Sequence, residues 1–196
     1  MFVHDVMTRQ PVTVTADAHL KDAAAVLAER RISALPVVDT DGRICGVVTE
    51  ADLIRDSFPR DARAHLMPRQ RDASTVAVLV AEVMTSPATT VHESTDVAEV
   101  AELMTSRSLK SLPVVDDANL VVGMVSRSDL MRVRARGDDL VEHDVSSLLA
   151  SIGHPDWLVG VQDGVVDIDG PSTTLDRSIA EVAAQTVAGV VAVEVR

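Results

Sequence analysis

Two short stretches hold the residue types that could do chemistry. Gly46-Val47-Val48-Thr49-Glu50-Ala51-Asp52-Leu53 returns once, as Gly123-Met124-Val125-Ser126-Arg127-Ser128-Asp129-Leu130. Each copy reads as a strand that turns directly into a helix. A hydroxyl stands at the turn and a carboxylate follows three residues later. The start of a helix gathers unpaired N–H groups and can hold a phosphate. Thr49 or Ser126 would add a hydroxyl contact to it. Asp52 or Asp129, one turn in, could accept hydrogen bonds from a ribose diol. The same spacing also makes a capping box, worth about 0.5–2 kcal/mol per cap. For one copy alone capping is a sufficient explanation; the duplication is what directs attention to a ligand.

Catalytic arrangements find less support. The histidines His4, His19, His65, His92, His143 and His154 show no metal-ligand spacing. No Gly-x-Ser-x-Gly, Cys/His pairing or Walker-type phosphate loop is present. Glu142-His143-Asp144 invites an acid–base reading, but adjacent residues on a helix point to different faces. The expectation is a non-catalytic protein with no required cofactor.

Composition narrows the class further. The 196 residues are 46% hydrophobic and only 2% aromatic, so any core is built from Val, Leu, Ala and Ile. A net charge of −12 argues against nucleic acid, which rewards clustered positive charge. The single cysteine, Cys45, excludes an internal disulfide and fits a reducing compartment. Its place in a predicted strand points to an inert, buried thiol. The N-terminus lacks a basic region followed by an apolar run, and no apolar stretch nears the roughly 20 residues that span a bilayer. These features predict a soluble, cytoplasmic protein.

The elements that must position the two stretches come in duplicate. Val6-Met7-Thr8 recurs as Val83-Met84-Thr85, an offset of 77. The same offset carries Leu35-Pro36-Val37-Val38-Asp39 onto Leu112-Pro113-Val114-Val115-Asp116, and Gly46, Asp52 and Leu53 onto Gly123, Asp129 and Leu130. Within the first copy, residues 11–15 form a β-branched run, read as a strand. Leu20, Ala23, Ala24 and Leu27 follow at helical spacing. Ala34 to Asp39 reads as a buried strand, Asp41-Gly42 as a turn, Ile44 to Val48 as a third strand, and Asp52 to Asp56 as part of a closing helix. Asn119 replaces Gly42 in the second copy and tolerates the same left-handed backbone. Each copy is β-α-β-β-α, and two such small units are expected to pack sheet against sheet. Phe58 to Ser74, with Arg60, Arg63, Arg69 and Arg71, reads as a solvated linker or as a basic edge that helps receive phosphates.

From Asp138 the composition shifts. Eleven acidic residues face two basic ones up to Arg196, a net of −9. Leu140, Val141, Val145, Leu148, Leu149 and Ile152 mark one helix face, with Asp144 its polar exception. Strands are predicted at Trp157–Gln162 and Val165–Asp169 around a tight Asp163-Gly164 turn. A helix marked by Leu175, Ile179, Val182, Ala183 and Val187 follows, then a strand over Val190–Val195. The expected organisation is residues 1–60 and 78–136 as paired units, a linker at 61–77, and a third domain at 138–196. The fold class is mixed α/β (α+β): two β-α-β-β-α units in a pseudo-twofold pair, plus a small α-β-β-α-β domain.

Residues 1 to about 136 resemble a tandem pair of CBS domains, the modules named for cystathionine β-synthase. The likeness rests on Val-Met-Thr at each start, Leu-Pro-Val-Val-Asp at each second strand, and the two Gly-to-Leu stretches. Residues 138–196 resemble a BON domain through Asp163-Gly164-Val165-Val166-Asp167-Ile168-Asp169-Gly170 and Ala188-Gly189-Val190-Val191-Ala192-Val193. The first resemblance implies two clefts that bind AMP, ADP, ATP or S-adenosylmethionine, one or both of them occupied. Asp52 and Asp129 would then hold ribose and Thr49 and Ser126 phosphate, with Arg127 an assisting cation. Adenine would lie against Val12, Ile32, Ala34 and Pro36 in one copy and Ala88, Leu109, Ser111 and Pro113 in the other. Ser111 in place of Ala34 makes the two pockets unequal. A homodimer and an unknown regulated protein partner are also implied. The BON resemblance implies phospholipid or partner association, so an alternative is a membrane-surface or partner adaptor with the CBS pair as a dimerisation scaffold. The −9 charge would be repelled by anionic lipid, which favours a protein partner.

Overall fold

The computed structural model describes residues 1–55 and 77–196. The stretch Phe58 to Ser74, with its four arginines, and the predicted linker up to residue 76 lie outside the described residues. The chain opens with a 3-10 turn, Val3–Asp5, and a short strand β1 (Thr8–Arg9). The first repeat then supplies β2 (Val14–Thr15), α1 (Leu20–Arg30), β3 (Ala34–Val38), β4 (Ile44–Thr49) and α2 (Glu50–Ile54). The second supplies a matching turn Val80–Glu82, β5 (Val91–His92), α3 (Val97–Ser106), β6 (Ser111–Val115), β7 (Val121–Ser126) and α4 (Arg127–Arg134). The third part is α5 (Asp138–Ser151), β8 (Leu158–Gln162), β9 (Val165–Asp169), α6 (Thr174–Gln185) and β10 (Ala192–Val195).

Each repeat builds the same small sheet. β2 runs parallel to β3 and β3 antiparallel to β4; β5, β6 and β7 repeat this. All five residues of β3 are buried, as a continuous apolar run requires. The strand predicted over residues 11–15 is paired only at Val14 and Thr15, opposite Val37 and Val38. One step back lies Pro36, which has no N–H to donate to a neighbouring strand. Pro113 stands at the same place behind β5. Each proline thus shortens its ladder and leaves Pro11-Val12 or Ala88-Thr89 unpaired beside it. The predicted turns hold left-handed backbone, with φ of 82° at Gly42 and 64° at Asn119.

The repeats are not closed units in space, a point that spacing did not reveal. β1 pairs with β7 of the second repeat, Thr8 opposite Met124, and Thr85 bridges to Val47 in the first. Phe2 bridges to Asp96, and Leu79 to His19. Every one of these pairs is carried onto its counterpart by the offset of 77. Val3 accordingly fills the core of Val91, Val100, Met104 and Leu112, and Val80 fills that of Ala23, Leu27, Leu35 and Val48. The recurring Gly46 and Gly123 mark the crossings. A Cβ on Gly46 would stand 2.9 Å from the carbonyl oxygen of Thr85, and one on Gly123 3.2 Å from that of Thr8.

The third part has its own sheet, in the order β10-β9-β8, and its own core of Val141, Val145, Leu149, Val166, Ile168, Ala180 and Ala184. Asp163 and Gly164 both have positive φ, the condition for the tight hairpin turn. The Asp138 carboxylate accepts hydrogen bonds from both turn amides, at 2.7 and 3.0 Å. The predicted α6 face is rotated: Leu175 and Val182 are exposed while Ala180 and Ala184 are buried. Leu140 and Ile152 of α5 are exposed as well. Asp144, the polar exception of α5, pairs with Arg136 at 2.6 Å, so its acidity serves the junction with α4.

Candidate ligand clefts

β4 and β7 deliver the two stretches to equivalent places. Thr49 caps α2 and Ser126 caps α4, each with extended backbone and each closing the predicted capping box. Asp129 Oδ2 accepts from the Ser126 N–H at 2.8 Å and from its Oγ at 2.6 Å. Asp52 Oδ2 accepts from the Thr49 N–H at 3.0 Å and its Oγ1 at 2.7 Å. In both, the second carboxylate oxygen faces an arginine one turn on. Arg132 stands 3.0 Å from Asp129 Oδ1 and Arg55 3.8 Å from Asp52 Oδ1. Asp129 is the one charged residue buried among the described residues, at 7% exposure. A buried carboxylate requires partners, and here a hydroxyl, an amide and a guanidinium supply them.

Two clefts open beside these caps. The larger, of about 720 Å³, has Val12, Ile32, Ala34 and Pro36 of the first repeat along one side and Ser126, Arg127 and Asp129 of the second along the other. The unpaired stretch left by Pro36 is its apolar floor. The smaller, of about 220 Å³, joins Thr49 of the first repeat to Ala88, Leu109 and Ser111 of the second. The clefts are therefore crossed: the apolar residues of one repeat face the capping stretch of the other. Ser33, Glu50, Lys110 and Ser111 line both, so the two lie side by side along a shared wall. Asp52 lies behind Thr49, and Pro113 is buried in β6; neither reaches a cleft wall.

Arg127 lines the large cleft, but much of its guanidinium is spent on its own fold. Nε donates to the Leu109 carbonyl at 2.7 Å and Nη2 to that of Met104 at 2.9 Å. Besides Arg132, sequence reasoning missed three cations on the walls, Arg30, Arg31 and Lys110. Their signal was adjacency: each lies within two residues of a predicted adenine contact, Ile32 or Leu109. Arg31 takes left-handed backbone, φ 54°, as the cap of α1, and so turns the chain into the cleft floor.

Elsewhere the side chains offer little chemistry. Among the described residues no group of three His, Cys, Asp or Glu is placed to hold a metal ion. No described helix is long and apolar enough to cross a membrane. Cys45 is half-buried rather than buried as its strand position predicted, and partial burial, then the Asp39 carboxylate, push its thiol above the ordinary value.

The duplicated sheet-and-helix unit thus forms one paired module with crossed clefts between the copies. The CBS domain family matches residues 3–58 and 80–136, and this chain belongs to that family. It is 31% identical over 135 residues to a CBS domain-containing protein of Dictyostelium discoideum, covering 67% of this chain and 89% of that one. It is 30% identical over 131 residues to the L-aspartate semialdehyde sulfurtransferase of Methanocaldococcus jannaschii. That match covers 67% of this chain but spans only 23% of the enzyme's length. Among solved structures, the CBS domain pair of protein MJ0100, in complex with 5′-methylthioadenosine and S-adenosyl-L-methionine, superposes with a TM-score of 0.56 at 29% identity. It covers 68% of this chain and 94% of that one. CBSX2 in complex with AMP gives a TM-score of 0.57 at 27% identity, over 67% of this chain and 93% of the other.

Proposed function

We propose that this chain is a non-catalytic regulatory protein that binds an adenosine-containing ligand and relays its occupancy to a protein partner. The observation that carries this reading is the large cleft, where an apolar floor from one repeat faces Ser126 and the buried Asp129 of the other. An apolar slot suits a purine ring. A carboxylate whose Oδ1 is held, among the described residues, by the exposed Arg132 alone can exchange that contact for a ribose hydroxyl. The bound AMP and S-adenosylmethionine in CBSX2 and MJ0100 support the same ligand class. The relay is assigned to α4, which begins at the cleft and ends at the junction with the third part. Residues 138–196, with their BON-like sequence, are then the output surface. Their exposed Leu158, Leu175 and Val182 offer apolar contacts, and the net charge of −9 over residues 138–196 favours a protein partner over an anionic membrane.

The test is mass spectrometry of small molecules released from the full chain purified under native conditions. The reading predicts an adenosine compound in stoichiometric yield, or saturable binding of one by the ligand-free protein. A folded protein that neither carries nor binds any adenosine compound would overturn it.

A further inference from the structure

The large cleft is charged against the trend of the whole molecule. The chain carries a net −12. Five cations nonetheless line this cleft, Arg30, Arg31, Lys110, Arg127 and Arg132, against Glu50 and Asp129. Two of the five are engaged, Arg127 by carbonyls and Arg132 by Asp129. The side chains of Arg30, Arg31 and Lys110 have no hydrogen bond or ion pair among the described residues. Away from the cleft Arg43, Arg55, Arg136 and Arg196 each have a carboxylate partner, whereas Lys21, Arg107, Arg134 and Arg177 have none among the described residues, so it is the clustering of cations that sets the cleft apart. Three unpaired cations around one cleft leave a positive potential there, and a low-dielectric wall focuses it. The small cleft differs: its charged lining is Lys110 and Glu50, which balance.

We propose that Arg30, Arg31 and Lys110 are an anion-binding rim that selects a phosphorylated adenosine, AMP, ADP or ATP, over S-adenosylmethionine. This rests on the adenosine reading above and adds the ligand's charge to it. In this reading the phosphates meet Lys110 on the wall shared by the two clefts and the exposed Arg30 and Arg31 of the first repeat. Phosphate oxygens gain charge-assisted hydrogen bonds from all three. S-adenosylmethionine sets a sulfonium and an ammonium against one carboxylate, so the same rim repels it.

Calorimetric titration of the full chain with adenosine, AMP, ATP and S-adenosylmethionine tests this. Two charge-removing variants accompany it, Lys110→Met and the double change Arg30→Gln with Arg31→Gln. All three side chains are exposed, so the fold tolerates their loss. The parent should bind AMP and ATP more tightly than adenosine, and S-adenosylmethionine most weakly. Each variant should weaken AMP and ATP by about tenfold or more while adenosine stays within about twofold. Tighter binding of S-adenosylmethionine than of AMP and ATP overturns the inference but leaves the adenosine reading intact. So does adenosine binding alongside AMP and ATP affinities that neither variant changes. Failure of the folded parent to bind any of the four overturns both.

Discussion

Each repeat spends one carboxylate oxygen on its own helix cap, and the other oxygen decides what more the residue can do. Asp129 and Asp52 share the capping geometry to within a few tenths of an ångström. Asp129 lines the large cleft, and Asp52 lines neither of the two clefts described. The pair of stretches was legible in the sequence because hydroxyl and carboxylate repeat at fixed spacing. That they would face the other repeat's apolar residues was not, since spacing along a chain says nothing about which strands cross. Arg30, Arg31 and Lys110 were illegible for another reason: an exposed cation looks the same in sequence whether or not a carboxylate meets it.

A second acid gives a prediction with a definite sign. Glu82 closes the opening turn of the second repeat and accepts from the N–H groups of Leu79 at 2.8 Å and Val78 at 2.5 Å. Those bonds, Leu79 first, hold its carboxyl below the usual range. Its contribution to stability is thus complete above the ordinary carboxylate pKa and is lost as pH falls through the lowered value. Glu82→Gln should therefore flatten the fall in melting temperature between about pH 5 and 3. Thermal melts across that range check it; an unchanged slope would remove Glu82 from the account.

At the scale of elements, the arms that cross between repeats tie the two together. Gly46→Ala forces a Cβ against the Thr85 carbonyl, which is backbone and cannot swing aside. A loss of roughly 1–3 kcal/mol is expected, read by denaturant unfolding. No loss would mean the arm is only loosely seated. The order of elements along each repeat and the helix positions were readable from period and punctuation, but β2 was overextended. Pro36 and Pro113 sit inside apolar runs that otherwise read as uninterrupted strand, and their missing N–H acts on a neighbour rather than on themselves. The α6 face was misassigned because the large side chains Leu175 and Val182 outweighed two alanines. The sheet takes the alanines, whose size permits close approach of the helix.

The end of α4 is a second joint. Arg136, 27% exposed, donates to the Ala188 carbonyl at 2.7 Å and pairs with Asp144 at 2.6 Å. Arg136→Ala leaves that carbonyl and carboxylate short of a charged donor, at a cost of roughly 1.5–3 kcal/mol. Trp157 is the chain's one tryptophan and lies in the third part, so its fluorescence reports unfolding there. The variant should shift that transition to lower denaturant; an unshifted transition would show that the joint does not support the third part.

For the whole molecule, α1 presents Ala24, Ala25 and Ala28 to solvent, and Ile54 and Met131 on α2 and α4 are 59% and 65% exposed. Small and apolar residues on neighbouring helices permit close association of two copies. A homodimer is expected by sedimentation at tens of micromolar, and only monomer there would count against it. The central claim is narrower: Asp129 is a ligand-binding residue as well as a cap. Calorimetry of AMP binding to Asp129→Ala and Asp52→Ala tests it, because both variants lose the same kind of cap. Melting temperatures should fall by similar amounts. Asp129→Ala should lose about tenfold to a thousandfold in affinity at the large cleft, while Asp52→Ala retains binding there near the parent's strength. Parent-like affinity in folded Asp129→Ala would contradict the account.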